Sequence, residues 1–112
     1  MDRRKFPRIS LLGEIIIKAK DSGEQLQGYA INISRGGVAF YSEKLFNINS
    51  ELSLTLFFKY EDEERREEVS CIVRWIKPVG NIFAIGVQFE NIRKEKQPMI
   101  FKYLENNEYI IF

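Results

Sequence analysis

The sequence predicts a mainly β domain, about six antiparallel strands in a small barrel or sandwich, followed by one C-terminal α-helix. Three observations predict it. Apolar residues alternate with polar ones through most of positions 11–90, the period of strands with one buried face. Turn chemistry separates the alternating runs at short intervals, as in small antiparallel architectures. After about Lys94 the apolar period changes to that of a helix.

The elements follow in order. "LLGEIIIKAK" (11–20) reads as a strand with Leu11, Ile15, Ile17 and Ala19 on one face. "DSGEQ" (21–25) is a turn. "LQGYAINI" (26–33) alternates again and groups Tyr29, Ile31 and Ile33. "SRGG" (34–37) breaks the pattern before the short strand "VAFYS" (38–42). "ELSLTLFFKY" (51–60) alternates through Leu52, Leu54, Leu56 and Phe58, and "EDEERREE" (61–68) reads as a solvated hairpin tip. "VSCIVRWIK" (69–77) and "IFAIGVQFE" (82–90) are two more strands, joined by the hairpin signal "PVGN". From Lys94 to Asn107, the residues Met99, Ile100, Tyr103 and Leu104 fall at helical spacing. Pro98 then sits in the first turn, where its missing N–H costs little. No internal repeat, low-complexity segment or linker interrupts the chain. The expected organisation is one domain over 1–112: a basic arm (1–10), a β-barrel (11–92) and a helix (94–107).

Composition narrows the function. With 112 residues, 45% of them hydrophobic and 13% aromatic, the chain supports a folded domain with a single core. A net charge of +1 argues against a bulk nucleic-acid or membrane binder. Charge is instead local: the N-terminus is basic and 61–68 largely acidic, which suits a small anionic ligand. The single cysteine, Cys71, permits no intrachain disulfide and reads as a buried thiol. No apolar run approaches the roughly 18 residues that span a bilayer, and no signal-peptide pattern opens the chain, so a cytoplasmic protein without membrane insertion is expected. Histidine, the commonest general base and metal ligand, is absent. No nucleophile–base pair, metal cluster or phosphate loop appears. The expectation is therefore no enzyme, no catalytic residue, no metal and no cofactor.

Two short segments carry the chemistry. "RRKFPRIS" (3–10) places Arg3, Arg4, Lys5 and Arg8 within six residues. Pro7 disfavours helix at Phe6, so the segment is extended or turned and can lay guanidinium planes across a surface. Guanidinium groups bond phosphates and the guanine O6/N7 edge in bidentate fashion and stack on bases. "NISRGG" (32–37) joins two strands. Asn32 and Ser34, two apart, share a face in extended geometry, while Gly36 and Gly37 let the backbone turn or approach a ligand closely. Taken alone, the first segment also fits a solubilising terminus and the second an ordinary turn.

Together they form an ordered pair. RxxxR at Arg4–Arg8, followed by NxSxxG at Asn32–Ser34–Gly37, resembles the PilZ domain family, and "FAIGVQF" (83–89), with Gly86 and Phe89, resembles that family's late strand. The resemblance covers nearly the whole chain. It implies a six-stranded antiparallel β-barrel with a C-terminal helix, and a bacterial second-messenger receptor for cyclic di-GMP. Arg4 and Arg8 would hold guanine edges and phosphates, with Arg3 adding a phosphate contact. Asn32, at a position often Asp in the family, would bond a guanine, and Ser34 a phosphate or base edge. Gly37 would permit close approach of the ligand, with Gly36 as its turn partner. Ordering of the arm over the ligand would relay the signal to an effector protein of unknown identity or through homodimer formation.

Other residues carry weaker signals. Trp75, with Arg74 and Lys77 near it, fits barrel core or rim, or else a base-stacking platform. Tyr29 and Tyr41 fit packing, with ligand contact as the alternative, and the aromatics of "FFKY" (57–60) fit core and rim. Two other function classes compete: a PilZ-like interaction domain that does not bind nucleotide, and a single-stranded nucleic-acid binder. The first is disfavoured by the presence of both arginines and the Asn–Ser–Gly set. The second is disfavoured by the near-neutral charge, so no nucleic-acid polymer is expected as partner.

Overall fold

The computed structural model describes residues 9–108, with side chains through Asn106. Seven strand segments precede one helix: β1 (Ile9–Leu11), β2 (Glu14–Ala19), β3 (Gln25–Ile33), β4 (Gly37–Ser42), β5 (Glu51–Tyr60), β6 (Glu63–Val79), β7 (Ile82–Phe89) and α1 (Pro98–Glu108). All pairings are antiparallel. The order is β1-β5-β2-β3-β4-β7-β6, and β6 returns to pair with β5, so six strands close a barrel. Closure leaves those strands no free edge.

β1 and β2 occupy one barrel position between them. The run that reads as a single strand over 11–20 breaks at Leu12–Gly13. There the Leu12 N–H donates to the Phe57 carbonyl and the Ala30 N–H to the Gly13 carbonyl, so the break stays hydrogen-bonded on both sides. Ile9–Leu11 then pairs with Phe58–Tyr60 at the far end of β5.

The alternating residues line the interior. Ile15 and Ile17 of β2, Leu52, Leu54, Leu56 and Phe58 of β5, and Val69, Cys71 and Val73 of β6 are fully buried or nearly so. Phe40 and Ile85 meet them from β4 and β7, and Phe46 enters from the β4–β5 connection. Cys71 is a buried thiol, as expected; burial pushes it up to about 12, so it carries no thiolate at neutral pH.

Helix α1 begins at Pro98, not Lys94, and inserts Met99, Ile100 and Leu104 into the core. Its docking depends on a residue that composition misplaces. The acidic run 61–68 is not all hairpin tip: only Glu61–Asp62 turn, and β6 starts at Glu63. Glu67 falls in the inward series with Val69 and Cys71 and is 7% exposed. Its two carboxylate oxygens accept the Met99 N–H at 2.5 Å and the Ile100 N–H at 2.9 Å. First-turn N–H groups have no partner inside a helix, so a carboxylate from a neighbouring strand satisfies them and complements the positive end of the helix dipole.

Burial raises the Glu67 carboxyl above its ordinary value of 4.5, against the lowering effect of the two backbone N–H bonds and of Lys102. An acid with a raised folded-state pKa favours folding most when protonated. Its contribution is fully present below 4.5 and is lost as pH rises through the folded value. Urea titrations across that window are expected to show stability falling with rising pH, and Glu67→Gln is expected to flatten that fall. Glu67→Ala leaves two N–H groups unpartnered. It is expected to cost about 1–3 kcal/mol and to speed amide exchange in Met99 and Ile100 before the barrel strands.

Candidate ligand-binding face

Two irregularities in the sheet decide which side chains leave the barrel. In β3, Ala30 pairs with Phe40 and Asn32 with Ala39, so Ile31 is an extra residue with no partner. In β6, Val73 pairs with Val87 and Trp75 with Gly86, so Arg74 is likewise extra. Each is a β-bulge, which inverts the in–out alternation downstream of it. Before the first bulge Gly28 and Ala30 face inward; after it Ile33 does. Had Ile31 taken a regular pairing, Asn32 would point into the core. Before the second bulge Val69, Cys71 and Val73 face inward; after it Ile76 does. Had Arg74 taken a regular pairing, Trp75 would point inward.

The sequence expectation that Tyr29, Ile31 and Ile33 share one face therefore fails at Ile33. Tyr29 is 57% exposed and Ile31 also faces solvent, while Ile33 packs on the core. Trp75 is not core either: it is 46% exposed.

The inverted residues meet on one outer face of four adjacent strands. Asn32 of β3 pairs with Ala39 of β4, Ala39 with Gly86 of β7, and Gly86 with Trp75 of β6. A row thus runs from a side-chain amide, over two small residues, to an indole. Around it lies a cleft of about 330 Å³, lined among others by Asn32, Ser34, Gly36, Gly37, Arg74 and Trp75. The floor is built for the indole. A Cβ placed on Gly86 would lie 2.0 Å from Trp75 Nε1 and 2.1 Å from Cε2, so the ring lies directly against the Gly86 backbone.

All four residues expected from "NISRGG" line this cleft. The turn closes through the Ser34 N–H donating to the Gly37 carbonyl at 2.8 Å, and the Phe89 N–H donates to the Gly36 carbonyl at 2.8 Å, fixing the turn to the end of β7. Gly36 is open on its outer side: a Cβ there would have no atom within 4 Å. A Cβ on Gly37 would meet the Val87 carbonyl oxygen at 1.8 Å, so the backbone of β7 also requires glycine at this cleft-lining position. The Asn32 amide makes no hydrogen bond to a described residue and is available to a ligand.

Arg3, Arg4 and Arg8 lie outside the described residues. Tyr29 and Tyr41 pair across β3 and β4 but line a neighbouring cleft with Leu26 and Ile82, not the one holding Asn32. Sequence reasoning leaves Trp75 undecided and gives no role to Arg74 or Gln88, both of which line the cleft. Among the described residues no group of acidic or cysteine side chains is placed to hold a metal, and no helix is long and apolar enough to cross a membrane.

Residues 2–106 match the family model described as PilZ domain. No curated protein matches by sequence. Among solved structures, the fold is similar to the Bacillus subtilis inhibitor of motility MotI/DgrA, with a TM-score of 0.72 and 21% identity over 98% of this chain and 53% of that one. It is also similar to the PilZ domain of CeSA from a cellulose-synthesizing bacterium (TM-score 0.58, 9% identity, 90% of this chain and 98% of that one). A third is MrkH of K. pneumonia, solved as a complex with c-di-GMP (TM-score 0.65, 16% identity, 99% of this chain and 55% of that one). The chain thus spans about half the length of MotI and of MrkH.

The sole tryptophan makes intrinsic fluorescence a reporter of this face. Gly86→Ala is expected to lift the indole off the sheet, red-shift its emission, increase acrylamide quenching, and cost about 1–3 kcal/mol in chemical denaturation. Unchanged emission would show that the ring does not lie on Gly86.

Proposed function

The chain belongs to the PilZ domain family, and we propose that it acts as a bacterial receptor for the second messenger cyclic di-GMP, binding without catalysis. One observation carries the reading: Asn32, Ser34, Gly36 and Gly37 share a single outer cleft with an exposed indole. Its chemistry suits a guanine nucleotide. Asn32 offers an amide to the guanine edge, Ser34 a hydroxyl to a base edge or phosphate, and Trp75 a ring face for stacking. Arg3, Arg4 and Arg8 supply cations for the two phosphates and for guanine O6/N7. MrkH, a fold relative, has been solved with this ligand, which supports the choice among guanine nucleotides.

The energetics are sufficient. Ordering backbone costs about 1–2 kcal/mol per residue, and charge-assisted hydrogen bonds return roughly 1.5–3 kcal/mol each. Four or five such bonds with stacking give micromolar or tighter affinity. In this reading, residues 1–10 close over the ligand, and the altered surface is what a partner protein, or a second copy of the chain, recognises.

Isothermal titration of cyclic di-GMP is expected to show saturable binding that GTP does not match. Arg8→Ala is expected to abolish it, and Asn32→Ala and Ser34→Ala each to weaken it about tenfold or more. Hydrogen exchange in residues 1–10 is expected to slow with saturating ligand. No binding up to high micromolar would favour the alternative, a PilZ-like protein-interaction domain that does not bind nucleotide.

A further inference from the structure

Arg74 occupies a position that packing does not explain. It is the unpaired residue of the β6 bulge, it is exposed, and it lines the cleft opposite the Asn32–Ser34 wall. Its guanidinium is nevertheless held at two points. Nε donates to Gln88 Oε1 at 2.8 Å, and a terminal nitrogen donates to Asn49 Oδ1 at 3.0 Å. Both acceptors are neutral amides. No carboxylate pairs with Arg74 among the described residues, whereas Arg65 at the hairpin tip is paired with Glu63 at 2.8 Å. An exposed arginine usually keeps its rotamer freedom or meets an acid. This one is oriented without being neutralised.

The support for it is itself built. Asn49 has φ 72, in the left-handed region that costs most residues energy and that asparagine tolerates better than other side-chain-bearing residues. Its N–H donates to the Val73 carbonyl at 2.8 Å, and the Val73 N–H donates to the Ser50 carbonyl at 3.0 Å. The β4–β5 connection is thereby clamped to β6 at the residue before the bulge, with the Asn49 amide beside the guanidinium.

We propose that Arg74 is a phosphate-holding residue of this cleft, a cation fixed by the barrel itself, with Asn49 and Gln88 as its positioning residues. The proposal rests on the receptor reading above and adds to it. The N-terminal arginines reach the ligand from a segment ahead of β1, while Arg74 is already in place on β6. Two N–H groups are spent on the amides. The guanidinium has five, and the rest make no hydrogen bond to a described residue, which leaves a donor edge for a phosphate oxygen. Preorganisation lowers the entropy lost on binding.

The test compares four variants by titration with cyclic di-GMP. Arg74→Ala is expected to weaken binding about 10- to 100-fold, the range of a lost charge-assisted bond. Arg74→Lys is expected to fall between it and wild type, because an ammonium cannot hold the amides and a phosphate in one plane. Asn49→Asp keeps Arg74 but places a carboxylate on it. It is expected to weaken binding about tenfold while the thermal midpoint holds or rises. Arg65→Ala, which makes the same change in net charge far from the cleft, is expected to stay within twofold of wild type. If wild type binds and Arg74→Ala binds equally well, the proposal is wrong and the receptor reading stands. Equal losses in Arg65→Ala and Arg74→Ala would also overturn it, since net charge would then suffice. If wild type does not bind, both readings fall together. Should Arg74→Ala unfold, Arg74→Lys and Asn49→Asp decide the matter.

Discussion

The candidate binding face depends on two β-bulges in a closed barrel. A strand's side chains alternate strictly, so in a barrel every second residue is committed to the core. Ile31 and Arg74 each take up one position without pairing, and the chain beyond them inverts. That inversion is what puts Asn32 and Trp75 outside. It also keeps the core intact, because Ile33 and Ile76 take the inward places that the amide and the indole would otherwise fill. An unpartnered buried amide costs roughly 1–3 kcal/mol, and an indole forced into a filled interior costs more. The two bulges thus serve stability and the site together.

The rest of the cleft follows from that constraint. Between the bulged strands lie β4 and β7, which pair in regular register throughout. Their outward residues at the centre are Ala39 and Gly86, small enough to let the indole settle on the sheet. Gly37 lets β4 begin hard against β7, so the Asn32–Gly37 turn stands beside the cleft. Behind this face, Val38, Phe40, Ile85 and Val87 pack into the same core as the β5 and β6 residues. A site on a packed sheet keeps its geometry better than one on loops. At the end of the barrel near β1, Glu67 fixes the helix through two backbone N–H groups, so a single buried carboxylate joins the C-terminal element to the sheet.

Much of this is legible in the sequence. The alternation of Leu52, Leu54, Leu56 and Phe58 has one reading, and all four are buried. The change of period at Met99, Ile100 and Leu104 locates the helix, though Pro98 and not Lys94 begins it: proline disfavours helix at the residue before it, and Glu67 receives the first-turn N–H groups that follow. The Asn32–Ser34–Gly37 spacing marks the turn that lines the cleft. What the sequence hides are departures from period. A bulge adds one residue with no compositional mark, so "AINI" and "VRWIK" read as continuous alternation, Ile33 is grouped with Tyr29 and Ile31, and Trp75 is left undecided. Glu67 is lost within a run of like charges whose other members are solvated. At Gly37 the Val87 backbone also requires a glycine, a need the sequence does not show, since a glycine reports a need for space and not all that fills it.

The position of the nucleotide on the barrel tests the candidate face most directly. Isotope-filtered NMR of the protein saturated with cyclic di-GMP would detect contacts between guanine protons and individual side chains. Contacts are expected from guanine to both the Trp75 indole and the Asn32 amide, on opposite sides of the Ala39–Gly86 floor. Contacts confined to Tyr29, Tyr41 and Ile82, or to any face that lacks both Asn32 and Trp75, would contradict that placement.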